Sequence, residues 1–179
     1  LSVVDYNEGV RRFKKDEFLD NKKIKILVIG NCEGRDFVNI TNETFNKKKI
    51  ELVYRDESFN CIDSSKNLIF NNLYNQADII VYAFGNHNLK CLMSNIMKAE
   101  QDNKKIFYLG TKSFGYNINW LARLKQEDRI KKTNKITNFD LKNENNLFLK
   151  VPKKNYISQM SQISKNNYVD LVDENGFLI

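Results

Sequence analysis

The sequence has few residues that interrupt regular structure, and it has no long hydrophobic run. Only one of its 179 residues is proline and seven are glycine, which argues against long linkers and disordered segments. No apolar run reaches the ~18 residues that a membrane-spanning helix needs, and no segment is typical of a signal peptide. The chain begins at Leu1 without a methionine, so we expect it to be a piece of a longer protein.

Histidine and cysteine are too scarce for a familiar metal site. His87 is the only histidine, and Cys32, Cys61 and Cys91 include no C-x-x-C pair, so we expect no zinc site. Either all three thiols are free, or two form a disulfide and leave one. The G-x-G-x-x-G and Walker A patterns are also missing, so we expect no cofactor, and a flavodoxin-like nucleotide-binding module is the weakest alternative.

The charge is positive, with 29 Lys and Arg against 22 Asp and Glu and a net charge of +7. The ordinary interpretation is a solvated, lysine-rich surface. The basic residues form no stripe interleaved with aromatic side chains, as a nucleic-acid-binding surface would. We therefore expect no nucleic-acid partner.

Strand-like and helix-like segments alternate from Ile24 onward. Nearly continuous apolar runs predict parallel strands buried on both faces, at 24–29, 50–54, 78–84 and 106–109. Helical periodicity predicts helices between and after them, at 33–45, 64–75, 89–102 and 118–131. We expect a lead-in arm, 1–22, followed by one domain, 23–179, that forms a three-layer α/β/α sandwich with a mostly parallel central sheet.

The same periodicity predicts which helical side chains face the sheet. They are Phe37, Ile40 and Phe45 in the first helix, Leu68, Ile69, Leu73 and Tyr74 in the second, and Leu92, Ile96 and Met97 in the third. Three loops follow strand ends and are expected at one rim of the sheet, where ligands bind in open α/β folds. These loops are 30–34, 85–88 and 110–116.

The sharpest chemical signal is Gly30-Asn31-Cys32, which places a thiol at a predicted strand-to-helix turn. The positive end of a helix favours a thiolate or an oxyanion, and its backbone N–H groups can donate to a tetrahedral oxyanion. A nucleophile is therefore one interpretation of Cys32. A buried structural cysteine is the other.

The second loop contains Gly85, Asn86, His87 and Asn88. The two amides can donate to an oxyanion, and His87 can act as a general base, although we favour an ordinary surface histidine. Arg35, one turn into the first helix, can bind an anion or form a local salt bridge.

The third loop is rich in small and aromatic residues and contains Lys112, Ser113 and Tyr116. Such a loop suits the wall of a substrate site, and a plain connection is the alternative.

Two segments resemble a known family. The strand that ends in Gly30-Asn31-Cys32, followed by Arg35-Asp36-Phe37, resembles the first block of SGNH (GDSL-type) hydrolases. The 110–117 loop and Trp120 resemble the soluble domain of bacterial membrane-bound acyltransferases that O-acetylate surface polysaccharides. The resemblance implies O-acyl transfer or ester hydrolysis on a cell-envelope polysaccharide through a covalent acyl-enzyme, with acetyl as the expected acyl group.

The resemblance also implies roles for individual residues. Cys32 falls where the family has its nucleophilic serine, next to Asn31, and its backbone N–H would help to form the oxyanion hole. The 85–88 loop falls near the family's Gly-x-Asn-Asp block, whose asparagine is an oxyanion donor. His87 occupies the place of that asparagine, so Asn86 or Asn88 would substitute for it.

The sequence departs from the family in two ways. Its nucleophile is cysteine instead of serine, which fits an acyl-enzyme but equally fits a non-catalytic glycan-binding or regulatory domain. The family's Asp-x-x-His block, which supplies the base, normally follows a turn like 173–176, and this chain ends at Ile179. We therefore expect the domain to be truncated at its C-terminus.

The family setting implies a compartment and partners. Such domains face the periplasm or the cell exterior as parts of membrane proteins, with a cell-surface glycan as acceptor and a membrane acyltransferase domain supplying the acyl group. That compartment permits disulfides. We therefore expect Cys61 and Cys91 to pair and to leave Cys32 as the free thiol.

Overall fold

The computed structural model describes residues 10–45, 48–56, 62, 66–83, 89–110, 122–129 and 151–157. Strands and helices alternate along them in the order β1 (Ile24–Gly30), α1 (Cys32–Thr44), β2 (Ile50–Arg55), α2 (Leu68–Gln76), β3 (Ile79–Ala83), α3 (Leu89–Gln101), β4 (Lys105–Leu109) and β5 (Tyr156–Ile157). No helix in these ranges is long and apolar enough to cross a bilayer.

The five strands form one parallel sheet in the order β2-β1-β3-β4-β5. Val28 in β1 is in register with Tyr54 of β2 on one side and with Val81 of β3 on the other. After β1 the chain forms β2 on one side of β1, and then β3 on the other side. The strand order therefore reverses between β1 and β3. Ligands bind beyond the carboxyl ends of the strands at such a reversal point.

Apolar side chains bury both faces of the sheet, in two clusters. Leu27 belongs to the larger cluster, with Phe70 of α2 and Ile96 of α3. Val28 belongs to the smaller cluster, with Val38 of α1. Adjacent strand residues point to opposite faces, so α1 covers one face and α2 and α3 cover the other. The predicted α/β sandwich with a parallel sheet is confirmed.

The structure corrects the predicted inner face of α1. Ile40 is 60% exposed and Phe45, which follows the last helical residue, is 63% exposed. The helix instead buries Gly34, Val38 and Thr41. These small side chains let the helix lie close to the sheet, whereas the sequence pattern gave more weight to the bulky residues.

Three further helical side chains are also exposed, contrary to prediction, and the first of them, Ile69 of α2, is 38% exposed. Leu68 is 82% exposed, because it lies on the opposite side of α2 from the buried Phe70 and Leu73. Met97 is 56% exposed, because the buried stripe of α3 runs through Leu92 and Ile96 on another side.

The segment before β1 packs onto the sheet. Val10, Phe13 and Phe18 are buried, and they belong to the same two clusters as the strand residues. The backbone N–H of Tyr54 donates to the carbonyl of Phe13 at 2.8 Å. Part of the predicted lead-in arm is therefore integrated into the core.

A buried carboxylate near the start of β2 binds the same segment. Glu51 accepts hydrogen bonds from the backbone N–H groups of Leu19 and Asp20, at 2.9 to 3.1 Å, and from the ammonium of Lys15 at 3.2 Å. The Glu51 side chain is only 8% exposed. Buried charges of this kind are tolerated when they are paired and hydrogen-bonded, as this one is.

Candidate active site

β1 ends at the reversal point in a turn that requires glycine. A Cβ on Gly30 would lie 2.2 Å from the carbonyl oxygen of Ala83, so a side chain here would push β1 and β3 apart. The next residue, Asn31, donates its backbone N–H to the same oxygen at 3.3 Å. The turn is thereby attached to the carboxyl end of β3.

Asn31 caps helix α1. Its side-chain Oδ1 accepts the N–H of Glu33 at 3.3 Å, and its carbonyl accepts the N–H of Arg35 at 3.1 Å. The cap places Cys32 at the first helical position. The first N–H groups of a helix have no acceptor within the helix, so they are available to a ligand.

The Cys32 side chain is a free, exposed thiol in contact with a cation. Nη2 of Arg35 donates to Sγ at 2.7 Å. The sulfur therefore lies beside two sources of positive charge, the N-terminus of α1 and the guanidinium. The exposure of Cys32 excludes the buried structural cysteine, and its role as a nucleophile stays a prediction.

Tyr54 contacts the turn from the buried side. Its ring is fully buried, and its hydroxyl lies 2.9 Å from the carbonyl oxygen of Gly30 and 3.2 Å from that of Asn31. A Cβ on Gly34 would lie 3.0 Å from Cε2 of this ring, so the second glycine leaves room for it. Gly30 and Gly34 therefore both serve close packing.

The hydroxyl of Tyr54 acts as a hydrogen-bond donor. Burial raises the pKa of Tyr54 to about 12, and nearby Asp56 contributes to the rise. The hydroxyl therefore keeps its proton at neutral pH. Because a carbonyl oxygen can only accept, the proton is donated to the turn.

The structure brings three of the predicted site residues together, since Asn31, Cys32 and Arg35 lie at one turn. The other predicted catalytic and substrate-binding residues lie outside the described ranges: Gly85, Asn86, His87, Asn88, Lys112, Ser113 and Tyr116. Cys91 is buried and disulfide-bonded. Cys61, its predicted partner, also lies outside the described ranges, so the pairing stays a prediction.

Sequence reasoning missed Tyr54. A tyrosine inside an otherwise apolar strand is a usable signal, because a buried hydroxyl needs a hydrogen-bond partner. The sequence does not show which partner it finds, since Gly30 lies 24 positions earlier in the chain.

Two surface cavities lie at the opposite end of the sheet, where the strands begin. One, of about 260 Å³, borders the start of β2 and is lined in part by Glu51. The other, of about 450 Å³, is lined in part by Lys22, Lys23 and Lys105. Cys32 lines neither cavity. Among the residues that the structure describes, no three His, Cys, Asp or Glu side chains are grouped as metal ligands would be.

A comparison of the chain with protein-family models finds no match, and a comparison with curated protein sequences finds none either. The geometry of the turn, and the resemblance of its sequence to the first block of SGNH hydrolases, are therefore the features that bear on function.

Proposed function

We propose that the chain is an SGNH-like domain that carries an acyl group, with acetyl the expected one, on Cys32. The reaction is O-acyl transfer to a cell-envelope polysaccharide, or hydrolysis of its esters. One observation carries the proposal: the free Cys32 thiol is exposed at the reversal point of the sheet, 2.7 Å from the guanidinium of Arg35. Reactive cysteines occur in such exposed, electropositive settings.

The chemistry proceeds through a thioester. The thiol of Cys32 loses its proton to solvent, its sulfur attacks the carbonyl carbon of an ester, a C–S bond forms, and the carbonyl π electrons move to the oxygen. When this oxyanion collapses, the C–O bond to the alcohol breaks and the alcohol leaves with a proton from solvent. A hydroxyl of the glycan, or water, then attacks the thioester carbon and gives its proton to solvent, and the C–S bond breaks to release the thiolate.

Arg35 stabilises negative charge during this reaction and is not the base. A guanidinium has only donors and stays protonated, so it cannot take a proton from the thiol or from the acceptor hydroxyl. Its hydrogen bond to Sγ stabilises the thiolate before the attack and again when the thioester breaks. Replacing Arg35 with an uncharged side chain should therefore slow both half-reactions.

The disulfide at Cys91 supports an extracytoplasmic location. Disulfides persist in the periplasm and at the cell surface and are rare in the cytosol. We place the domain on the extracytoplasmic face of a membrane, as part of a membrane protein whose acyltransferase domain supplies the acyl group. A cell-surface glycan is the acceptor.

A non-catalytic glycan-binding or regulatory domain is the second candidate. Arg35, which donates to Sγ of Cys32, cannot accept a proton. A thiol held in this way without a base would suit a domain that binds acylated glycan and does not turn it over.

Acylation by p-nitrophenyl acetate distinguishes the two candidates. The protein and a version extended past Ile179 are incubated with the ester, and intact-mass and peptide mass spectrometry locate the acetyl group. We expect one acetyl group on Cys32 and none in Cys32→Ala. Alkylation by iodoacetamide serves as the control that the thiol is present and accessible. A thiol that is alkylated in both versions but acylated in neither would favour the non-catalytic domain.

A further inference from the structure

Tyr54 contacts the backbone on both sides of the Gly30–Asn31 step. Its buried hydroxyl shares its one proton between the carbonyl oxygen of Gly30, at 2.9 Å, and that of Asn31, at 3.2 Å. The Asn31 carbonyl also accepts the N–H of Arg35 at 3.1 Å. Two donors therefore fix the direction of the Asn31 carbonyl.

The direction of this carbonyl determines where the next N–H points. In a trans peptide the C=O and the N–H of one unit point in opposite directions, and no cis peptide bond occurs among the described residues. The N–H that opposes the Asn31 carbonyl is that of Cys32. With its carbonyl held against Tyr54, the Asn31–Cys32 peptide directs this N–H away from the core and toward the exposed side of the turn.

We propose that Tyr54 is the positioning residue of the oxyanion hole: by holding the Gly30 and Asn31 carbonyls, it aims the Cys32 N–H at the oxyanion of the acyl intermediate. This inference rests on the proposed function, and it assigns to Tyr54 a role in the reaction without contact to the substrate. A donor aimed in advance stabilises the oxyanion without reorganisation during the reaction.

Tyr54 is itself held firmly enough for this role. Its backbone N–H donates to the carbonyl of Phe13 at 2.8 Å, and it is in register with Val28 in the centre of the sheet. Its ring lies against the first turn of α1, where Gly34 leaves room for it. The hydroxyl thus connects the rigid sheet to the turn that carries the nucleophile.

The test compares two reactions of the same thiol in Tyr54→Phe, which keeps the ring and removes the hydroxyl. Alkylation by iodoacetamide displaces iodide and forms no oxyanion, whereas acylation by p-nitrophenyl acetate does form one. We expect acylation to slow ~10-fold, less than the ~100-fold or more for the loss of a whole oxyanion donor, while alkylation changes less than ~2-fold. The ratio of the two rates is the readout, because loss of folded protein would lower both together.

Tyr108→Phe is the matched control. Tyr108 is also buried, and its hydroxyl donates to a backbone carbonyl, that of Leu92, at 3.4 Å, on another part of the sheet. The Tyr108→Phe substitution removes a buried hydroxyl without affecting the turn, so the rates of acylation and of alkylation should both stay as in the wild type. If Tyr54→Phe folds poorly, Gly34→Ala gives a second route, because the added Cβ presses on the Tyr54 ring and should lower the same ratio.

Amide hydrogen exchange adds a readout that needs no ester. In Tyr54→Phe the N–H of Asn31 should exchange faster, while that of Val81 in β3 stays protected. Equal acylation in Tyr54→Phe and wild type, or a parallel loss of acylation and alkylation, would overturn the positioning role and leave the proposed function standing. If the wild-type thiol is never acylated, the proposed function is wrong and the positioning role falls with it.

Discussion

Strand β2 carries a buried polar side chain near each end, Glu51 and Tyr54, and the two hold different parts of the chain. Glu51 binds the segment before β1 through two backbone N–H groups and Lys15. Tyr54 binds the turn that carries Cys32 through two carbonyls. One side chain is charged and accepts, while the other is neutral and donates.

Because of this difference in chemistry, the contacts of Glu51 and Tyr54 respond differently to pH. Burial alone would raise the pKa of Glu51, but the hydrogen bonds from Leu19, Asp20 and Lys15 outweigh it and hold the pKa below the ordinary 4.5. Burial raises the pKa of Tyr54 to about 12. The contact at Glu51 is therefore sensitive to acid, whereas the turn keeps its support from acidic through mildly alkaline pH.

The largest expected loss of stability comes from a substitution in the turn after β1. Gly30→Ala should destabilise the protein by ~3 kcal/mol or more, because its Cβ would lie 2.2 Å from a backbone oxygen that cannot move without separating β1 from β3. Urea denaturation measures the loss. Gly34→Ala is the matched control: its Cβ meets a side-chain ring at 3.0 Å, and the change also favours the helix. Equal losses in the two variants would contradict the close approach at Gly30.

Loss of the charge on Glu51 should have the next largest effect. Glu51→Gln should lower the free energy of unfolding by ~2 kcal/mol, because charge-assisted hydrogen bonds to Leu19, Asp20 and Lys15 are weakened or lost. The exposed Glu43→Gln is the control, with a change within ~0.5 kcal/mol. Hydrogen exchange should show the loss at the Leu19 and Asp20 amides, and a stability equal to that of the wild type would refute the anchoring role.

Acid should remove the contribution of Glu51 selectively. Because the pKa of Glu51 is lower in the folded state than in the unfolded chain, Glu51 stabilises the fold above pH 4.5, and this contribution is lost as the pH falls through the folded-state pKa. The gap in unfolding free energy between wild type and Glu51→Gln should therefore narrow as the pH is lowered from 6 to about 3. A gap that stays constant over this range would show that the charge on Glu51 does not contribute.

The smallest expected effect on stability is that of Tyr54→Phe. Loss of the hydroxyl should lower the free energy of unfolding by ~1 kcal/mol, because the Gly30 and Asn31 carbonyls lose a donor. The loss should be the same at pH 4 and at pH 8, since a hydroxyl with a pKa of about 12 does not titrate between them. A loss that depends on pH in this range would mean that Tyr54 is coupled to a titrating group.

The strands of this fold could be predicted from the sequence, but the inner faces of its helices could not be predicted in full. Apolar runs such as 24–29 mark a strand buried on both faces without any tertiary information. In α1 the periodicity favoured Ile40, but the close approach of the helix selects Gly34 and Thr41 instead. The distance between α1 and the sheet decides which side chains of the helix are buried. Residues of both the helix and the sheet set that distance.

The turn of the candidate site could be predicted, but its support could not. A strand followed by Gly30-Asn31-Cys32 is a local pattern, and the structure has the turn and the helix start there. The partners of Glu51 and Tyr54 lie 23 to 36 positions away, beyond the reach of any local pattern. In each case the sequence indicates only that a buried polar group needs a partner, without saying where that partner is.

The anchoring of the first segment by Glu51 has a consequence for the order of folding. Each of these hydrogen bonds joins residues 31 to 36 positions apart, so the segment can form them only after a long loop has closed. During synthesis this segment leaves the ribosome before β2 does, and Glu51 cannot hold it until β2 has also emerged. It should therefore dock late in folding and detach early in unfolding, as a separate cooperative unit at the edge of the sheet.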